Sequence, residues 1–171
     1  MPSGLPRRGT IAVDIVEDDG DWSGVGDVGA IVQAAADAVA ASGLVDVGGA
    51  DASVAVALSS DANVQKLNGS YRRKPRPTNV LSFPAGPGGE DGFLGDVVFA
   101  IETLRREADA LETPLAHHLQ HLTVHGILHL LGFDHQTDDA ADAMEAIEIK
   151  VLKSIGVSNP YTGALERARK A

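Results

Sequence analysis

All six histidines of the chain fall between His117 and His135, and three of them stand in the spacing HxxxHxxGxxH, at His125, His129 and His135 with Gly132 between. This spacing dictates a local fold. Residues four apart share a face only on a helix, so His125 and His129 can converge on one ion only if a helix runs through both. Gly132 then stands where a helix ends in a left-handed residue, which lets the chain turn and bring His135 back as a third ligand. With no cysteine in 171 residues, a transition-metal site here must use imidazole nitrogen and carboxylate oxygen. Three protein ligands in a tetrahedral field leave the fourth place to water, whose pKa on such a zinc falls to ~7. The expectation is one Zn2+ per chain, held by His125, His129 and His135.

His117/His121 and His121/His125 are also four apart, but only the pair His125/His129 is followed by the glycine turn and a returning histidine. At 100° per residue His118, His121, His125 and His129 share one stripe. That leaves His121 either as a partner behind the ligands or as a packed core residue, while His117 and His118 read as solvent-facing or packed. Two blander readings, three unrelated histidines and a structural zinc site, fit the pattern less well, since structural sites close with four ligands and often use cysteine. The spacing matches the HExxHxxGxxH motif of metzincin proteases with one departure: Gly126 stands where the general-base Glu belongs. Without that carboxylate, peptide hydrolysis loses its main proton acceptor.

The rest of the chain reads as a single α/β (α+β) domain over 1–171, with its core at about 11–161 and about four strands packed with about five helices. Ile11 to Val16 alternates as a half-buried strand, and the acidic EDDGDWSGVGD after it is a loop. A helix over Val28 to Ala41 carries Ile31, Ala35 and Val39 on one face and ends at Ser42-Gly43. Ala52 to Leu58 is a second strand, and Ser60 is placed to cap a short helix through Val64 and Leu67. Asn79 to Phe83 and Gly95 to Ile101 read as strands around the loop PAGPGGEDG, which lacks the spacing of a phosphate-binding loop. A stripe of Ile101, Leu104, Ala108 and Leu111 follows. Thr113 as N-cap and Pro114 at the first position open the metal-binding helix, of metzincin-like type, to Leu131. A last helix from Asp138 to Ser154 carries Met144, Ile147, Val151 and Leu152, and the tail from Val157 reads as less ordered.

A net charge of −10 argues against non-specific nucleic-acid binding and DNA. The average hides an asymmetry. From Gly9 to Gln65 there is no Lys or Arg, whereas Arg72, Arg73, Lys74 and Arg76 fall within five positions, as a solvated loop or a local anion site. No run approaches the roughly 18 apolar residues of a membrane span, and MPSGLPRRGT has no apolar signal region, so the expected location is the cytoplasm.

The stretch from His121 to His135 resembles the HGxLHLxGxDH signature of the YbeY-type family of bacterial endoribonucleases and rRNA maturation factors. Leu67 to Phe83 (LNGSYRRKPRPTNVLSF) is similar to that family's second signature, Gly95-Asp96-Val97 to its third, and Met144-Glu145 and Pro160-Tyr161 also fit, so the resemblance runs from about Ile11 to Tyr161. Pro75, Pro77 and the extra positive charge depart from the usual pattern, as does the long acidic N-terminal region.

The resemblance implies a single-domain α/β fold and a zinc-dependent, single-strand-specific endoribonuclease. It implies a role in maturing the 3′ end of small-subunit (16S) rRNA and in ribosome quality control. It also implies that Arg72 lines the cleft, a place where a guanidinium would hold a phosphate through paired hydrogen bonds. Expected partners are rRNA and the small ribosomal subunit, through a ribosomal protein or an assembly GTPase. With Glu absent at 126, Asp134 is the candidate general base, beside the zinc water itself or a substrate group. Two alternatives stay open: a non-catalytic ribosome-assembly factor with a structural zinc, and a zinc hydrolase of another substrate.

Overall fold

The computed structural model describes residues 10–48, 51–72, 78–86 and 92–162, with the backbone alone at 71 and 72. Arg73, Lys74, Pro75, Arg76 and Pro77, most of the glycine-rich loop and the first residues lie outside the described part. The elements in order are β1 (Ile11–Glu17), α1 (Val28–Ala41), β2 (Ala52–Ser59), α2 (Asp61–Arg72), β3 (Val80–Pro84), β4 (Phe93–Ala100), α3 (Ile101–Ala110), α4 (Leu115–Leu130) and α5 (Asp138–Ser154). They form one four-stranded mixed sheet in the order β1-β2-β4-β3, in which β3 alone runs antiparallel, to β4. Among the described residues, five helices and four strands in one α+β domain match the architecture expected.

Alternation along β4 explains the layering. Val97 and Phe99 point into the main core with Val32, Ala35, Leu119, Ile127, Met144 and Leu152, whereas Val98 and Ala100 join Val64 of α2 and Leu81 of β3 in a smaller cluster on the other face. A strand so covered on both faces must be apolar throughout, and VVFA is. At the sheet's outer edge, the Gln33 side chain of α1 takes the Val13 N–H at 3.1 Å and donates to the Ile11 carbonyl at 2.8 Å, standing in for a neighbouring strand. Small residues let α1 lie close: its buried face is Val32, Ala35, Ala36, Ala38 and Val39, one step around from Ile31, which is half-buried.

α4 crosses the sheet at β3 and β4 and also packs against α1, α3 and α5. It lies close to the sheet at Gly126, where an added Cβ would stand 3.1 Å from Val97 Cγ1 and 3.3 Å from Ser82 Oγ. That contact accounts for the missing protease glutamate: position 126 faces the sheet, and a carboxylate side chain would have to enter a packed interface.

Three local expectations are corrected. Thr113 does not cap α4; its N–H closes α3 on the Ala108 carbonyl, Glu112 takes the left-handed turn at φ 54°, and Pro114 is the uncapped N-cap of a helix starting at Leu115. The α3–α4 turn is so tight that Thr113 is used up ending the first helix. The fourth strand ends at Ala100, and Ile101 opens α3 instead of closing the strand. The first residues after α5 are packed, Val157 being buried and Tyr161 hydrogen-bonding into the core, while the rest of the tail, 163–171, lies outside the described residues. Ser60 does cap α2, accepting from Asn63 N–H at 3.2 Å, and that helix runs on to Arg72.

Two glycines separate steric from conformational need. Gly95 has φ 143°, and a Cβ there would run into the Phe83 carbonyl oxygen and, at 2.8 Å, Leu130 Cδ2; Gly132 has φ 103° with nothing within 4 Å. Gly95→Ala should therefore cost about 3 kcal/mol or more, clash added to strain, and Gly132→Ala about 1 to 2 kcal/mol, strain alone. Urea unfolding of the metal-free protein checks this, and equal losses would contradict the close approach at Gly95.

Candidate metal centre

α4 carries His125 and His129 on successive turns, and the termination of the helix delivers the third histidine. Phe133 N–H bonds the Leu128 carbonyl and Gly132 N–H the His129 carbonyl, both at 3.0 Å, the paired bonds of a glycine-ended helix. The chain then reverses. Asp134 Oδ1 accepts from Gln136 N–H at 3.2 Å, which fixes the turn on which His135 sits. The ring centroids of the three lie 4.5 Å (His125–His129), 5.1 Å (His129–His135) and 5.7 Å (His125–His135) apart. One ligand nitrogen from each falls within 4.8 Å of the others.

His125 Nε2 and His129 Nε2 face each other at 3.1 Å. Two nitrogens each about 2.0 to 2.1 Å from a tetrahedral zinc would be about 3.3 Å apart, so the donor set fits such an ion. Burial, then the neighbouring His125 and His135, push the His129 imidazole down to about 4, which keeps its lone pair available at neutral pH. His125 and His129 are half-buried and His135 is exposed, so the group is open on one side.

Behind the three histidines lies a carboxylate that the sequence reading missed. Glu148 of α5 is fully buried; its Oε2 lies 3.2 Å from His125 Nδ1 and its Oε1 3.0 Å from His121 Nε2, and the Tyr161 hydroxyl also bonds Oε1. Burial alone would raise this carboxyl, but the hydrogen bonds from His121 and His125 outweigh it and hold Glu148 at about 2. The signal was present: Glu148 interrupts the buried stripe Met144, Val151, Leu152 at a helical position where an apolar residue is expected. His121 thus shares the Glu148 carboxylate with His125, one step behind the three histidines. His118, expected to be packed or solvent-facing, is buried and bonds Glu107 at 2.9 Å, and Glu107 also accepts from Asn79.

Two cavities of about 620 and 400 Å3 adjoin the histidines and share Asn79, His125 and His135 on their walls. The first is lined with neutral polar groups, Asn68, Thr78, Ser82 and Gln136 among them, and the exposed Asp134 lies on its rim. The second runs along α5 past Tyr161 and Met144 to Asp138 and Glu145. Arg72 is the last residue of α2, one helical turn beyond Asn68; its side chain lies outside the described residues.

Fold and site together define an α+β domain that presents three imidazoles, able to hold a metal ion, at the floor of an open cleft. The family model described as Endoribonuclease YbeY matches residues 26–156, and the chain belongs to that family. An Endoribonuclease YbeY of Bradyrhizobium sp. is 50% identical over 130 residues, covering 72% of this chain and 77% of the relative. Those of Bradyrhizobium diazoefficiens and Rhodopseudomonas palustris are 48% and 47% identical, each over 82% of this chain and over 79% and 84% of their own length. The solution structure of a Thermotoga maritima protein shares the fold, with TM-score 0.53 at 20% identity over 89% of this chain and 97% of that one.

Metal-free protein should take up about one divalent ion per chain. His129→Ala should weaken that binding by more than about 100-fold, beyond the 10- to 100-fold typical when only a hydrogen-bond partner of a ligand is lost. Titration against a chromophoric chelator measures both, and full uptake by a His125→Ala/His129→Ala double variant would contradict the site.

Proposed function

We propose that this chain is a zinc-dependent endoribonuclease that cuts single-stranded RNA of the small ribosomal subunit in the cytoplasm, maturing the 3′ end of its rRNA and removing defective particles. The observation that carries the proposal is the three-imidazole group with one side open to a cleft, in a chain that belongs to the Endoribonuclease YbeY family. His125, His129 and His135 would hold the ion. A zinc ion so bound lowers the pKa of water to about 7 and thereby supplies a nucleophile at neutral pH.

The remaining work falls to the chain's own groups. Arg72, at the end of the helix whose Asn68 lines the larger cavity, would grip the scissile phosphate with two N–H groups and stabilise the charge that builds on it. Asp134, with Oδ1 held by Gln136, would take a proton at the cavity rim. A structural metal in a non-catalytic assembly factor is favoured by one observation: position 126 offers no carboxylate to the cleft. Cleavage lost in a folded His129→Ala variant separates the two readings, and the same assay on other phosphoesters tests for another substrate.

A chain of net charge −10 gains little from free RNA, so affinity for the particle would come from a protein partner, a ribosomal protein or an assembly GTPase. Binding to naked rRNA fragments should be weak, with a log–log salt slope no steeper than about −3, from at most four basic contacts near Arg72. Binding to small subunits should be tighter. Tight, steeply salt-dependent binding to naked RNA would contradict this.

Arg72→Ala should lower single-turnover cleavage of a short single-stranded RNA roughly 100-fold with metal content unchanged. Lys at that position should restore only part, since an ammonium lacks the two-pronged geometry. Wild-type cleavage by Arg72→Ala would return the basic run to a solvated loop.

A further inference from the structure

We infer that Glu148 is the positioning residue of the metal centre: its carboxylate, held by His121 and Tyr161, fixes the proton of His125 on Nδ1 and so presents Nε2 as the ligand atom. The inference rests on the reading of His125, His129 and His135 as metal ligands.

Glu148 is 0% exposed in a stripe of Met144, Val151 and Leu152, where an ionised carboxylate is expensive and an apolar side chain would pack without penalty. The charge is tolerated because three donors converge on it: His121 Nε2–H at 3.0 Å, His125 Nδ1–H at 3.2 Å and the Tyr161 hydroxyl. Of these, only His125 belongs to the ion site.

An ionised carboxylate only accepts, so each imidazole that bonds it must present an N–H. For His125 that places the proton on Nδ1 and the lone pair on Nε2, the nitrogen that stands 3.1 Å from His129 Nε2. For His121 it places the proton on Nε2 and leaves Nδ1 a buried atom with no hydrogen-bond partner among the described residues. A group arranged only to satisfy polar atoms would not strand one. His121 instead serves the carboxylate, and the Tyr161 ring, edge-on at 5.4 Å, holds His121 in place. The segment that follows α5 is thereby part of the metal centre's support, with Val157 buried as its anchor.

Glu148→Gln keeps shape and volume but offers one acceptor oxygen in place of two. The amide oxygen can serve one imidazole, and the NH2 group then faces the other; where it faces His125, Nδ1 must carry the lone pair and Nε2 the proton, which blocks the ion. Zinc affinity, read by chelator competition, should fall about 10- to 100-fold in Glu148→Gln. In Tyr161→Phe, which keeps the carboxylate and both imidazoles, it should fall less than about 10-fold.

The second readout is the tautomer of His125 in the metal-free wild type, by long-range nitrogen–proton correlation NMR. It should be Nδ1–H in the wild type and mixed in Glu148→Gln. A wild-type Nε2–H tautomer overturns the inference whether or not the variant folds. So does unchanged zinc affinity in a folded Glu148→Gln whose parent binds one ion. If the wild type takes up no ion, the ligand reading itself fails and the inference falls with it.

Discussion

Two imidazoles one helical turn apart can fill only two corners of a candidate metal site, and a helix that ran on past them could never supply the third. The termination of α4 is therefore the constraint on which the site depends. Gly132 adopts φ 103° so that the Leu128 and His129 carbonyls are bonded by Phe133 and Gly132, and the chain leaves the helix at an angle that returns His135 to within reach of the pair. Any residue with a side chain would strain that exit.

For the same helix to place its histidines at a cleft, it must lie low on the sheet. Gly126 permits this by giving up its side chain to Val97 and Ser82. The approach excludes a glutamate from the place where a zinc peptidase keeps its base, and the cleft between β3 and α5 has neutral polar groups with Asp134 at the rim on one side, and Asp138, Glu145 and Glu148 on the other. On the proposed function, phosphate enters on the β3 side, toward the end of α2, because that side carries one rim carboxylate, Asp134, against Asp138 and Glu145 on the α5 side.

The histidine spacing and the glycine that ends the helix were legible because they are local: a turn of helix, a left-handed residue and a short return involve only eleven consecutive positions, His125 to His135. The strands and helices were legible for the same reason, down to Ser60 as a cap. What the sequence hid was long-range. Glu148 meets His125 across 23 positions and Tyr161 meets His121 across 40, and nothing in either neighbourhood says which helices will be adjacent. Thr113 was misread because capping propensity ignores competition: the same residue was needed to end α3. The stretch 157–162 looked unpatterned because two anchor residues, Val157 and Tyr161, and not a periodic face, hold it down.

The central claim is that three imidazoles, and no fourth protein group, hold the ion and leave one coordination place open to the cleft. X-ray absorption spectroscopy of the zinc-loaded protein tests it without reference to any substrate. The account predicts three imidazole nitrogens and one further light donor from solvent, all at about 2.0 to 2.1 Å. A spectrum with two imidazoles, or with four protein ligands and no solvent oxygen, would contradict it.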